Sequence, residues 1–118
     1  MAEENYLVAA ASEDGRLIRE HFGRAHTFYI YRMYEEGYDL VGTREVHPPC
    51  QGGYHFEDGL RETLEKFTDC KYILVSRIGP GAENMAQQLG ITAVELPGDL
   101  EEGLEKLRTY EQIQKLFE

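Results

Sequence analysis

Cysteine is scarce. The chain of 118 residues has two, Cys50 and Cys70, twenty positions apart and with no C-x-x-C pair. One chain therefore cannot supply the four thiolates of the usual iron–sulfur cluster, nor the cysteine-rich set of a structural zinc site. Basic residues are also few: 12 Lys and Arg stand against 22 Asp and Glu, a net charge of −10. Such a balance repels phosphate backbones and argues against nucleic acid as a partner. No apolar run approaches the ~20 residues that cross a bilayer, so no membrane partner is expected. The start, "MAEENYLVAAAS", has neither a basic opening nor a long apolar stretch and does not read as a signal peptide. The cytoplasm is the expected compartment, and a disulfide is not expected there. Repeats, linkers and low-complexity segments are missing too, so residues 1–118 read as a single domain.

What is present is an alternation of strands and helices. "YLVAAAS" (6–12) is a short apolar run, a candidate buried strand, and "EDG" turns the chain after it. "TFYIYRM" (27–33) and "DLVGTREV" (39–46) flank "YEEGY", whose Gly37 supplies a turn, and together they predict a hairpin. "HPPCQGGYH" (47–55) holds two prolines and two glycines and is a loop. Phe56, Leu60, Leu64 and Phe67 then fall on one helical face. "KYILVS" (71–76) is a nearly continuous apolar strand. "RIGPG" breaks it, and Ala82, Met85, Ala86 and Leu89 make a short helical face with Gly90 at its C-terminal cap. "ITAVEL" (91–96) is a further strand, parallel to the one before the helix. Asp99 can cap a last helix, with Glu102 three residues on. Its apolar stripe runs through Leu100, Leu104, Leu107, Tyr110, Ile113 and Phe117. The order β, β-hairpin, α, β, α, β, α predicts an α/β domain with a five-stranded mixed sheet and helices packed on it.

Strand directions bring the unusual loops together. With strand 6–12 pointing up and the hairpin joined as a meander, "HFGRAH" (21–26), "HPPCQGG" (47–53) and "RIGPG" (77–81) all reach the top edge. Ligands of α/β sheets bind at the carboxyl ends of parallel strands. All four histidines, His21, His26, His47 and His55, lie in or beside these loops, and so does Cys50. Imidazole and thiolate suit iron, zinc or copper better than magnesium. Arg24 and Arg77 bring positive charge to an acidic chain. Gly79 and Gly81 in "IGPGA" open a helix N-terminus, an anion-binding arrangement. The edge suits a negatively charged ligand that also accepts a nitrogen or sulfur donor. His26, next to its strand, is expected to be structural, and Cys70, before a buried strand, to be core.

With these residues in view, the chain resembles the dinitrogenase iron–molybdenum cofactor biosynthesis family, the domain type of NifX, NafY and the C-terminal part of NifB. The likeness rests on "DGRLIREHFGRAHTFYIY", "HPPCQGG", "DCKYILVSRIGPGA" and "LGITAVEL", in family order over nearly the whole chain. The resemblance implies a ribonuclease H-like fold without the nuclease. It also implies a carrier of an iron–sulfur or iron–molybdenum cluster, working with metallocofactor assembly or recipient proteins. A family histidine implicated in cofactor binding matches His21. The finished cofactor is anionic and is held in its enzyme by one cysteine and one histidine, donor types present here as Cys50 and His21. Taken together with the reading of the loops, the expected site comprises His21, Gly23, Arg24, Cys50, Arg77, Gly79 and Gly81, with His21, Cys50 and His47 as metal donors. Some members carry another cysteine after the paired glycines; here the stretch is "GGYHFED". A regulatory or protein-interaction domain that binds no metal is the alternative. An enzyme is not expected, since the loops hold no nucleophile–base pair and Asp14 and Asp39 do not form a two-metal carboxylate set.

Overall fold

A computed structural model describes residues 5–47 and 56–117, with the backbone alone for 56–58. Cys50, His55 and the side chain of Phe56 thus lie outside the described residues. The elements in chain order are strand β1 (Tyr6–Ala11), strand β2 (Leu17–Ile18), a 3-10 turn (Phe22–Arg24), strands β3 (Thr27–Tyr34) and β4 (Gly37–Glu45), helix α1 (Phe56–Glu65), strand β5 (Cys70–Val75), helix α2 (Pro80–Gln88), strands β6 (Thr92–Glu95) and β7 (Gly98–Asp99), and helix α3 (Leu100–Lys115).

Five strands form one mixed sheet in the order β4-β3-β1-β5-β6. β1 is antiparallel to β3 and parallel to β5, and β5 is parallel to β6. This is the meander and the parallel pair that the sequence predicts. Period-two alternation sends neighbouring residues to opposite faces. Ala9, Ala11, Ile73 and Val75 meet Leu60 and Leu64 of α1 and Ala82 and Ala86 of α2. Val8, Ala10, Tyr72 and Leu74 meet Leu100, Leu104 and Leu107 of α3. The sheet is therefore closed on both faces.

Local chemistry sets the helix ends. Gly90, at φ 84°, follows α2. Its N–H donates to the Gln87 carbonyl at 3.0 Å, and the Ile91 N–H donates to Ala86 at 2.9 Å. This is the paired closing pattern of a helix that ends in a left-handed glycine. The Asp99 side chain accepts from the Glu102 N–H at 2.9 Å, the cap expected for α3.

Three features differ from the sequence expectation. Gly37 does not lie within the hairpin turn: it pairs with Tyr34, and Glu35 and Glu36 make the connection. A Cβ at Gly37 would stand 3.8 Å from the Tyr34 ring, so the small residue sits under an aromatic cross-strand neighbour. The stripe of α3 is buried only in its first half; Tyr110, Ile113 and Phe117 are exposed, and Glu111 is buried instead. Its carboxylate accepts from the Tyr72 hydroxyl and pairs with Lys71 Nζ at 3.0 Å, which puts a polar group at the bottom of that face. Finally, β2 and β7 form a two-stranded ribbon, Leu17 opposite Asp99 and Ile18 opposite Gly98.

The turn between β1 and β2 is tightly specified. Ser12 Oγ donates to the Leu17 carbonyl at 2.7 Å and accepts from the Gly15 N–H at 3.0 Å. Asp14 Oδ1 accepts from the N–H groups of Arg16 and Leu17, and these bonds hold its carboxyl below the usual carboxylate range. Gly15 has φ 75°, and a Cβ there would lie 2.8 Å from the Tyr29 ring. Gly15→Ala should therefore cost about 1–3 kcal/mol, read as a lowered urea midpoint at unchanged m-value.

At the other edge Arg44 of β4 makes a two-pronged pair with Asp69, at 2.9 and 2.7 Å. Those hydrogen bonds are the main cause of Asp69's lowered pKa. The folded pKa lies below the unfolded one, so the pair stabilises above the unfolded carboxylate range and loses its effect as pH falls through the folded value. Both partners are partly exposed, so solvent screening keeps the effect small. Asp69→Asn should cost about 0.5–1 kcal/mol at neutral pH. Denaturant titrations of the two proteins should converge as the pH drops below about 4.

Candidate functional site

The site begins where β1 stops. β1 ends at Ala11, and residues 20–22 continue its place beside β5. The Ser76 N–H donates to the Glu20 carbonyl at 3.0 Å, and the Phe22 N–H donates to the Arg77 carbonyl at 2.8 Å. His21 and Arg77 are bridge partners in a parallel sense. Partners side by side on a sheet share a face, and both line one cavity.

That cavity, about 650 Å³, lies at the carboxyl end of β5. Its lining includes His21, Gly23 and Arg24 from the loop before β3, Arg77, Gly79 and Gly81 from the turn after β5, Glu95 from β6, and Leu60 and Ala82 from the helices. The apolar anchor of the first group is Phe22, 1% exposed, whose ring packs toward Phe28 at 6.2 Å. It fixes a 3-10 turn in which the N–H groups of Arg24 and Ala25 return to the His21 carbonyl at 3.0 and 3.1 Å. The His21 side chain makes no capping bond to this turn. Its imidazole is exposed and is not consumed by the backbone around it.

The second group is a strand-to-helix turn. α2 starts with Gly79 as N-cap and Pro80 in its first turn, and no side chain caps it. The Glu83 N–H returns to the Gly79 carbonyl at 2.9 Å. The N–H groups of Gly81 and Ala82 precede the first full helical turn and have no intrahelical acceptor. They add to the positive end of the helix dipole at the cavity wall. The guanidiniums of Arg24 and Arg77 are exposed. The Ile78 N–H donates to Glu95 Oε2 at 3.0 Å, which ties the turn to the end of β6.

Six of the predicted site residues thus share one cavity: His21, Gly23, Arg24, Arg77, Gly79 and Gly81. β4 runs parallel to β1, so His47 also reaches this edge, but it is exposed and not among the lining residues. Its carbonyl accepts from Thr63 Oγ1 at 3.3 Å. His26 is held by Thr27 at 3.1 Å and Glu13 at 3.3 Å, the structural role expected for it. Cys70 is buried, and its thiol is pushed up to about 12 chiefly by burial, so it is a core residue. Among the described residues, no three His, Cys, Asp or Glu side chains gather to hold a metal ion. Protein ligation by the described lining of the cavity would rest on one imidazole, with charge and N–H donors around it. No helix among the described residues is long and apolar enough to cross a membrane.

Sequence reasoning missed Leu60 and Glu95. The parallel pairing of β5 with β6 held the signal for Glu95, because it sets the last residue of β6 beside the end of β5.

The family described as dinitrogenase iron-molybdenum cofactor matches residues 4–110. The FeMo cofactor biosynthesis protein NifB of Herbaspirillum seropedicae is 38% identical over 89 residues, which are 75% of this chain and 17% of that protein. NifB of Chlorobaculum tepidum is 29% identical over 117 residues, 98% of this chain and 27% of that protein. The chain therefore spans a minor part of the length of these relatives. The crystal structure of PH0822 has a TM-score of 0.53 at 27% identity, over 75% of this chain and 74% of that one. The NMR structure of the Thermotoga protein TM1290 has a TM-score of 0.57 at 19% identity, over 91% of this chain and 88% of that one, a likeness of fold.

The division of labour between neighbours is measurable. Phe22→Ala should lower stability by about 3–5 kcal/mol through the cavity it leaves. His21→Ala, one residue away and exposed, should stay within about 0.5 kcal/mol of wild type. Urea unfolding of both variants checks this.

Proposed function

The chain belongs to the dinitrogenase iron–molybdenum cofactor family, and from that membership we propose that it is a small carrier or chaperone in metallocofactor biosynthesis. Its cargo is an iron–sulfur or iron–molybdenum cluster, or a precursor of one. The observation that carries the reading is the joining of His21, Arg24, Arg77 and the open N-terminus of α2 around one cavity. A metal–sulfur cluster is anionic and has metal atoms that accept a nitrogen or sulfur ligand. The His21 imidazole offers the nitrogen. The two guanidiniums and the Gly81 and Ala82 N–H groups offset the charge. Cys50 is the proposed sulfur donor, and His47, outside the lining residues, is a further donor candidate.

A carrier needs to let go. Few protein ligands and several charge contacts suit that better than a closed four-thiolate cage. The role is binding and delivery, not catalysis, with assembly or recipient proteins as partners in the cytoplasm. The ribonuclease H-like label for the fold belongs to the same reading. NifB relatives are named for FeMo cofactor biosynthesis, and their likeness to this chain supports placing it in that chemistry.

The test is anaerobic reconstitution with an iron–sulfur cluster, followed by metal analysis and visible absorption. Wild type should take up iron and colour. His21→Ala and Cys50→Ala should each bind at least about tenfold more weakly. If wild type and both variants remain equally colourless, a regulatory or protein-interaction role without metal takes the place of the carrier.

A further inference from the structure

The cavity holds one carboxylate among its cations. We propose that Glu95, resting on the carrier reading above, sets the strength with which the cavity holds an anionic metal–sulfur cargo. Its two actions are separable. One oxygen, Oε2, accepts from the Ile78 N–H at 3.0 Å and fixes the turn between Arg77 and Gly79. The carboxylate meanwhile lines the same cavity as His21 and Arg24, with the end of β5 lying between β6 and the His21 segment. Any anion drawn in by Arg24, Arg77 and the helix N-terminus is repelled by it.

The geometry separates this from an ordinary surface acid. Glu95 is the last residue of β6, paired in register with Val75, the last of β5. The Leu96 N–H donates to the Val75 carbonyl at 2.9 Å, which holds the strand end in place. The carboxylate is thus anchored from both sides: by its backbone to β5 and by its side chain to the Ile78 amide. Glu95 is exposed, and the bond to Ile78 holds its carboxylate at the cavity mouth. A fixed like charge in a partly solvated cleft weakens anion binding by a few-fold. The Ile78 amide it occupies is also a donor at the anion-facing turn, so the carboxylate sits where an incoming anion would seek partners.

The probe is tetrathiomolybdate, a molybdenum–sulfur dianion, with binding followed by its visible absorption on the full chain. Glu95→Gln keeps an oxygen for the Ile78 N–H and removes the charge. It should bind about three- to tenfold more tightly than wild type, with a steeper loss of affinity as salt rises. Glu95→Ala removes charge and bond together and should bind more weakly than Glu95→Gln. The Ile78 amide resonance should be retained near its wild-type position in Glu95→Gln and shifted in Glu95→Ala. A Glu95→Gln affinity equal to or below that of wild type overturns the proposal. If wild type binds the probe and Arg77→Ala weakens it while Glu95→Gln changes nothing, the carrier reading stands and the role of Glu95 falls. If wild type takes up an iron–sulfur cluster on reconstitution but no probe, the carrier reading stands and the role of Glu95 falls; if it takes up neither, both fall.

Discussion

Two backbone hydrogen bonds make the site possible. Ser76 donates to Glu20, and Phe22 donates to Arg77, so the segment that follows the turn after β1 takes over its place beside β5. No side chain of residue 21 is needed for this pairing. The fold fixes where His21 stands and leaves its imidazole uncommitted. His26, five residues later, is the contrast: Thr27, Glu13 and Glu45 surround its ring. A histidine whose position is set by backbone and whose ring is free is available for ligand chemistry. One whose ring is spent on neighbours is not. Phe22 offsets the cost of ordering the arrangement, since burying its ring stabilises the turn on either side.

Charge is arranged by the same rule. Arg44 is spent on Asp69 and the Lys66 carbonyl, and Arg108 on Glu105 and the Glu35 carbonyl. Arg24 and Arg77, by contrast, are carried by loops at the cavity. The protein as a whole is acidic, at −10, but distant charges are screened within about 8 Å at physiological salt. An anion at the cavity therefore feels the local cations and Glu95 more than the overall balance. Net charge disfavours a polyanion lying along the surface; it says little about a compact anion in a pocket.

Much of this was legible because direction follows from order. β1 and β5 were recognisable as apolar runs, and a hairpin between them can only alternate. With the hairpin joined as a meander and β5 parallel to β1, the loop before β3 and the loop after β5 share an edge, toward which β4 also runs. What was not legible has physical causes. β2 and β7 have two residues each, too few for any periodic signal, and form only because the turn at Gly15 aims Leu17 at Asp99. Tyr110, Ile113 and Phe117 continue the helical stripe of α3, yet the sheet beneath them gives way to the Tyr72–Glu111–Lys71 group. A stripe reports which side of a helix is apolar, not how far its support extends. β4 shows a related limit. Val41 is an extra residue opposite the Ile30–Tyr31 step, a bulge that leaves Leu40 and Val41 exposed on an edge strand. Glu95 was missed for another reason: the parallel pairing sets the end of β6 beside the end of β5, but a strand pattern does not show that the side chain reaches the Ile78 amide in the turn after β5.

The β2–β7 ribbon explains why the site can sit on one face without weakening the other. Leu100, the first residue of α3, donates its N–H to the Arg16 carbonyl at 2.8 Å, next to the ribbon. α3 is thereby tied to the turn after β1 and covers its own side of the sheet with Leu100, Leu104 and Leu107. The cavity residues belong instead to the α1–α2 side, where Phe22, Leu60, Ile78 and Ala82 join the opposite core. Changes of charge at His21, Arg24, Arg77 or Glu95 leave both cores filled. A unit closed on both faces, with its candidate site built largely from exposed loop residues, can be joined to other domains without being repacked. The small share of each NifB relative that this chain matches is what such a unit, carried within longer proteins, would produce.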